Sequence, residues 1–188
     1  MVLFQRIRHV FLLILFTAIS LFLAACGGKE TPKPQPQWVY KPESVEISYK
    51  TAPMLNEFQG TSHVLQLVIY QLDSVNKFQE LSAYKDGLIK LLKAQNFDSS
   101  VTSIQKIFLD PGKSGKIVFD RAEKSRWVAC AAGFFDLQPG RSTCILEIPY
   151  KIEKKGMIFF KKDVAVIPDL KINLTLTAHD IKGIIPDE

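Results

Sequence analysis

Histidine is scarce in this chain of 188 residues: His9, His63 and His179 are the only three. None has a His or Cys neighbour at ligand spacing, so no zinc site is written in the sequence. There is no G-x-S-x-G elbow and no H-E-x-x-H pair, which leaves out the common hydrolase and metalloprotease signatures. Pro111-Gly112-Lys113-Ser114 resembles the end of a phosphate-binding loop. Such a loop needs Gly at position 107, where Ile107 stands, and a helix behind it, where the strand pattern continues; a tight turn is the better reading. The Asp and Glu residues are scattered, and no internal repeat is visible. The expectation is a protein without a catalytic set, metal or cofactor. A chain of 188 residues suits one domain, or one plus a tail, and excludes a large multidomain enzyme. Its 23% charged and 47% hydrophobic residues are ordinary, so the chain as a whole is not disordered.

The apolar residues are unevenly spread. Arg6 and Arg8 make a basic start, residues 10–25 are an unbroken run of apolar and small residues, and Leu23-Ala24-Ala25-Cys26-Gly27-Gly28 follows. A basic start, an apolar stretch and small residues before a cleavage point form a secretory signal. The run is shorter than the roughly 20 residues that span a bilayer. The Cys after Leu-Ala-Ala resembles the lipobox of bacterial lipoproteins. That resemblance implies cleavage before Cys26, a diacylated Cys26 thiol and an acylated new amine, and several acyl chains give stable anchoring. Gly at position 27, rather than Asp, favours the outer membrane of a diderm bacterium. Removing residues 1–25 leaves 163 residues and lowers the net charge from +5 to +3, too little to argue for nucleic acid.

Residues 26–42 read as the lipidated Cys and a tether rich in proline (Pro32, Pro34, Pro36, Pro42), able to extend about 50 Å. From residue 43 to 188 the pattern is mainly β. Val45, Ile47 and Tyr49 alternate with polar residues, and residues 63–72 form a more buried strand. Residues 78–93 carry one helical stripe of Leu81, Tyr84, Leu88, Leu91 and Leu92. Strands follow at 104–109, 116–119, 126–135 and 143–150, with Pro-Gly turns at Pro111-Gly112 and Pro139-Gly140. Residues 170–178 alternate most cleanly, and 151–162 (KIEKKGMIFFKK) read as a hairpin or loop. Its lysines fit either an anionic surface or the gatekeeping of an exposed edge. About seven short strands and an inserted helix predict a β-sandwich.

With Cys26 lipidated, Cys130 and Cys144 remain. They lie on consecutive strands, in a register whose midpoint is Leu137 within the turn. Both share faces with residues read as inward: Val128, Ala132 and Phe134 for one, Leu146, Ile148 and Tyr150 for the other. A disulfide is plausible there in an exported protein; the alternative is two buried thiols packed as small hydrophobes.

The order of these pieces resembles the TssJ (SciN) family, the outer-membrane lipoproteins of type VI secretion systems. The residues carrying the resemblance are the lipobox, Leu55-Asn56 after the first strand, Val68-Ile69-Tyr70-Gln71-Leu72, Phe78 and the helix, Leu109-Asp110-Pro111-Gly112, and Trp127 through Asp136 (WVACAAGFFD). The Pro-rich tether, the 151–162 segment and the Cys pair depart from it. The resemblance implies a transthyretin-like two-sheet β-sandwich with one or two inserted helices. It also implies docking of the periplasmic C-terminal region of TssM, and through it TssL, by the loop between the first two strands. Here that loop is TAPMLNEFQGTS, residues 51–62, with Pro53, Met54, Leu55, Asn56, Glu57, Phe58 and Gln59 as candidate contacts. Exposed apolar anchors on a loop suit recognition, but Met54, Leu55 and Phe58 could equally fold back as a core plug. A different class of function also stays open. Thirteen Phe and strongly apolar strands suit a lipoprotein that holds a small apolar ligand or lipid.

Overall fold

The computed structural model describes residues 33–157 and 160–186. The signal segment, Cys26 and the first part of the tether lie outside them. Two four-stranded sheets face each other. The first has the order β10-β9-β1-β4, built from β1 (Lys41–Thr51), β4 (Ser114–Arg121), β9 (Leu170–Leu176) and β10 (Ile181–Pro186). The second has the order β3-β2-β5-β6, from β2 (Leu65–Leu72), β3 (Val101–Leu109), β5 (Trp127–Ala132) and β6 (Thr143–Glu147). Neighbours are antiparallel except β1 and β9, which run parallel from Val45 beside Leu170 to Thr51 beside Leu176. The remaining strands, β7 (Lys151–Lys155) and β8 (Lys162–Val166), form a hairpin of their own. The expected two-sheet sandwich is therefore the fold.

Period-two patterning explains the core. Val45 and Ile47 of β1 and Leu170, Ile172, Leu174 and Leu176 of β9 meet Leu65, Leu67, Ile69, Val128, Cys130 and Ala132 from the other sheet. Each fully buried aliphatic side chain contributes about 1.5–3 kcal/mol by leaving water. β2 and β5 are buried on both faces. Their second face (Val68, Tyr70, Leu72, Ala129, Ala131) packs under two helices through Phe78, Leu81, Leu88 and Leu91, so the second sheet is the middle of three layers. Gln71, 2% exposed, ties the sheets together: its side chain donates to Asp120 O (2.8 Å) and accepts from Ala122 N (2.9 Å).

The single helix expected over 78–93 is two: α1 (Asn76–Ser82) and α2 (Lys85–Leu92). Tyr84 between them is extended, with φ −148° and ψ 154°. The fold enforces this break. A Cβ on Gly87 would stand 2.0 Å from Leu81 O, so α2 starts against the end of α1, where only glycine fits. β2 then anchors the far end of α2: Tyr70 Oη donates to Leu91 O and Gln66 Nε2 to Leu92 O, both at 2.5 Å. The Tyr70 hydroxyl, buried under the helices, has its pKa pushed up to about 12.

Residues 38–42, read in the sequence as the end of the tether, make contacts with the sandwich. Trp38 packs on the core, its carbonyl accepts from Lys124 N at 2.7 Å, and Tyr40 Oη donates to Asp120 Oδ2 at 2.5 Å. That bond, with a second from Glu43 N, holds the Asp120 carboxyl below its usual pKa.

Candidate functional site

The loop between β1 and β2 is pinned at its base. Thr51 N donates to Lys113 O (2.8 Å), Ala52 N to Leu176 O (2.9 Å) and Gly112 N to Ala52 O (3.0 Å). The Thr51 hydroxyl lies 2.8 Å from Asp110 O and accepts from Lys113 N at 2.8 Å. The decoy phosphate loop is thus a turn that buttresses β1, with Gly112 at φ +65°.

Within the loop the two sequence readings separate residue by residue. Leu55 is fully buried and belongs to the sandwich core, whereas Met54 is 43% and Phe58 46% exposed. The expectation that Leu55 is an exposed anchor is corrected: it is the plug, and its neighbours are displayed because it is buried. Asn56 sets this division. It takes φ +48°, which Asn tolerates better than most residues, and its side chain is only 3% exposed. Its Nδ2 donates to Val64 O (3.0 Å) and its Oδ1 accepts from Phe135 N (2.8 Å), which ties the loop to the segment after β5. Pro53 and Gln59 are exposed and Glu57 is half-buried. Glu57 N donates to Ala178 O at 3.1 Å, and its carboxylate lies 3.5 Å from His179 Nε2. Phe58 and Thr61 exchange backbone hydrogen bonds at 2.9 and 3.1 Å, closing a small turn at the tip.

The exposed ring of Phe58 is stacked on Phe135, with centroids 4.8 Å apart and planes 21° from parallel. His63 meets Phe135 edge-on, also at 4.8 Å. Phe135 is itself 52% exposed. Beside it a groove of about 750 Å³ runs over Val64, Phe108, Phe134 and Phe135, with Lys85 at its rim. Sequence reasoning missed Phe108, Phe135 and Val64. The signal was present for Phe108, which lies between the inward Ile107 and Leu109 and so on the opposite face of β3. It pairs with Gln66 on the helix-covered side of the sheet, yet stays 63% exposed.

The cysteines stand directly opposite each other, Cys130 on β5 and Cys144 on β6, in the register that parity required. In this structure both are free thiols. Their hydrogen bond, and then burial, raise the Cys130 pKa well above its ordinary value. Among the described residues no three His, Cys, Asp or Glu side chains gather where a metal could be held, and no helix is long and apolar enough to cross a membrane.

The fold is thus a two-sheet β-sandwich that displays stacked aromatic rings beside an apolar groove. The sequence matches the family model for type VI secretion lipoproteins (VasD, EvfM, TssJ) over residues 43–178. The chain belongs to this family of structural, membrane-bound components of the secretion system. No curated protein matches it significantly. Among solved structures it resembles the T6SS lipoprotein TssJ1 of Pseudomonas aeruginosa, with 21% identity, a TM-score of 0.54, and 81% of this chain and 98% of that one covered. It also resembles Serratia marcescens Lip, a membrane-bound component of the type VI secretion system, with 15% identity, a TM-score of 0.54, and 81% and 98% coverage. A chain in the structure of the TssM C-terminal domain from EAEC matches with 15% identity, a TM-score of 0.54, and 76% and 98% coverage.

Proposed function

We propose that this lipoprotein is the outer-membrane anchor of a type VI secretion membrane complex. Cys26 carries the acyl chains, the domain faces the periplasm, and the β1–β2 loop docks the periplasmic C-terminal region of TssM and, through it, TssL. The observation that carries the docking assignment is the Phe58–Phe135 stack. Two large rings are held half in solvent by a loop whose own core residue, Leu55, fixes them there. Aromatic anchors of this kind dominate interface energetics. The partner surface accordingly includes Met54, Phe58, Phe135 and the adjoining groove, with Pro53, Asn56, Glu57 and Gln59 shaping the loop. The fold's likeness to chains from structures of the TssM C-terminal domain and of a type VI membrane complex supports this choice of partner.

Replacing Cys26 with Ser should release the protein from the outer membrane and stop secretion; full secretion by that variant would refute the anchoring role. Phe58→Asp should abolish binding to the TssM C-terminal region while the domain stays folded. The alternative function, binding of a small apolar ligand or lipid, would have to use the groove at Phe108 and Phe135, since side chains from both sheets already meet inside the sandwich. A stoichiometric co-purified ligand in a native mass spectrum would favour it.

A further inference from the structure

The 151–162 segment carries five lysines and one glutamate around the apolar run at 157–160. Lys151–Lys155 and Lys162–Val166 pair as the β7–β8 hairpin, which pairs only with itself among the described strands, and every residue of β7 is exposed. Toward its tip Met157 is 83% and Phe160 79% exposed, the most exposed large hydrophobic side chains among the described residues. Lysines along an open edge are explained by protection against edge-to-edge pairing. A bare Met and Phe beyond those lysines are not. An apolar tip with a lysine collar suits a bilayer interface, where the apolar groups enter the acyl boundary and the ammonium groups sit among the phosphates.

The hairpin also stands beside the residues that lead into β1. Pro34, Gln37 and Val39 on one side and Lys155, Asp163 and Val166 on the other line a single cavity of about 440 Å³. Lys41 at the start of β1 pairs with Asp169, just beyond the base of the hairpin, at 2.7 Å. Arg121 borders the cavity at 3% exposure; its Nη2 donates to Val39 O at 3.5 Å, while Nε and Nη1 have no hydrogen-bond partner. Seven residues separate Cys26 from Pro34, a reach of about 25 Å over the eight steps when extended.

We propose that the β7–β8 hairpin is a second membrane contact. It inserts Met157 and Phe160 into the leaflet that holds the acyl chains, while Lys154, Lys155, Lys161 and Lys162 engage anionic phospholipid headgroups. This rests on acylation of Cys26.

The test uses the full processed lipoprotein carrying Phe160→Trp, reconstituted in vesicles of phosphatidylcholine and phosphatidylglycerol with brominated acyl chains. Emission is corrected with the parent protein, which holds Trp38 and Trp127. The expected result is quenching of the new tryptophan and slowed trypsin cleavage at the four lysines. Both effects should fade in vesicles of phosphatidylcholine alone and in about 0.5 M salt, where the screening length falls to about 4 Å. Each lysine contributes about fivefold to engagement, so Lys161→Glu with Lys162→Glu should abolish the quenching. Unquenched emission and unchanged cleavage on anionic vesicles would overturn the proposal. So would protection that appears only when a periplasmic protein partner is added. Acylation is read separately, from the mass of the amino-terminal peptide, so an unacylated chain and an idle hairpin give different failures.

Discussion

Leu55 and Phe58 sit three residues apart in one loop, and the structure predicts opposite consequences for truncating them. Leu55 is fully buried against the sandwich core. Leu55→Ala removes its transfer energy and leaves a cavity, about 2–5 kcal/mol together. In a domain of this size each kcal/mol shifts the midpoint by about 2–4 °C, so thermal unfolding should move down by roughly 5–15 °C. Phe58 is 46% exposed, and its one ring contact is the stack on Phe135. Phe58→Ala forfeits about 0.5–1.5 kcal/mol of stability, a shift of a few degrees at most. As a central aromatic anchor it should cost at least about 2 kcal/mol of binding to the TssM C-terminal region, a loss of about thirtyfold or more in affinity. Circular dichroism melts and calorimetric titration of both variants give the four numbers. The reasoning fails if Leu55→Ala leaves the midpoint unchanged. It fails equally if Phe58→Ala binds as well as the parent.

Asn56→Ala should destabilise the domain by about 2–3 kcal/mol, because two hydrogen bonds go and a side chain less tolerant of positive φ is forced to +48°; hydrogen exchange at the amides of Val64 and Phe135 would show local opening, and unchanged exchange would refute the link. Tyr70 has a folded pKa of about 12 against about 10 unfolded. Its contribution is therefore complete below pH 10 and drains away as pH rises toward 12, by up to about 3 kcal/mol. Tyr70→Phe should flatten that alkaline fall in denaturant midpoints while costing about 1–3 kcal/mol at neutral pH, since Leu91 O loses its donor. An alkaline fall as steep as the parent's would contradict the assignment. We further propose that Cys130 and Cys144 join in the periplasm. Unfolded protein isolated from that compartment should titrate no thiols, and reduction should cost about 3 kcal/mol; two titratable thiols would exclude the bridge.

Much of the fold was legible because strand period and chain position agreed. β9 alternates buried and exposed over its whole length, as Leu170, Ile172, Leu174 and Leu176 require. The β5–β6 register followed from placing two inward cysteines opposite each other across one turn, and Cys130 does pair with Cys144. The break between α1 and α2 was illegible for a physical reason. Leu81, Leu88 and Leu91 mark the same apolar stripe whether the helix is continuous or interrupted, and the interruption comes from the contact of Gly87 with Leu81 O. The site was half legible. Pattern could mark Met54, Leu55 and Phe58 as apolar residues on a loop, but a loop has no period to say which faces inward. Asn56 decides that through partners that are distant in sequence, Val64 O and Phe135 N. Phe135 entered the site by the same route.

β1 gives the domain a polarity that neither end shows alone. Its first residue, Lys41, pairs with Asp169 near the base of the lysine-rich hairpin, and Tyr40 just before it is held by Asp120. Its last residue, Thr51, is locked to the Asp110–Lys113 turn under the β1–β2 loop. Eleven residues of strand at about 3.3 Å each put these ends roughly 33 Å apart. β4 and β9, paired along most of that length, make β1 the rigid member between them. On the proposed anchoring, a domain held by acyl chains at the Lys41 end would present Phe58 and Phe135 away from the membrane, toward the proposed partner. A tether alone would let the domain turn its loop in any direction. A second contact beside the tether would fix which end points outward, reducing the orientational freedom lost when the partner binds. On these two proposals the hairpin and the loop, chemically unrelated and far apart in sequence, would act as two ends of one device, with β1 making the orientation of one matter to the other.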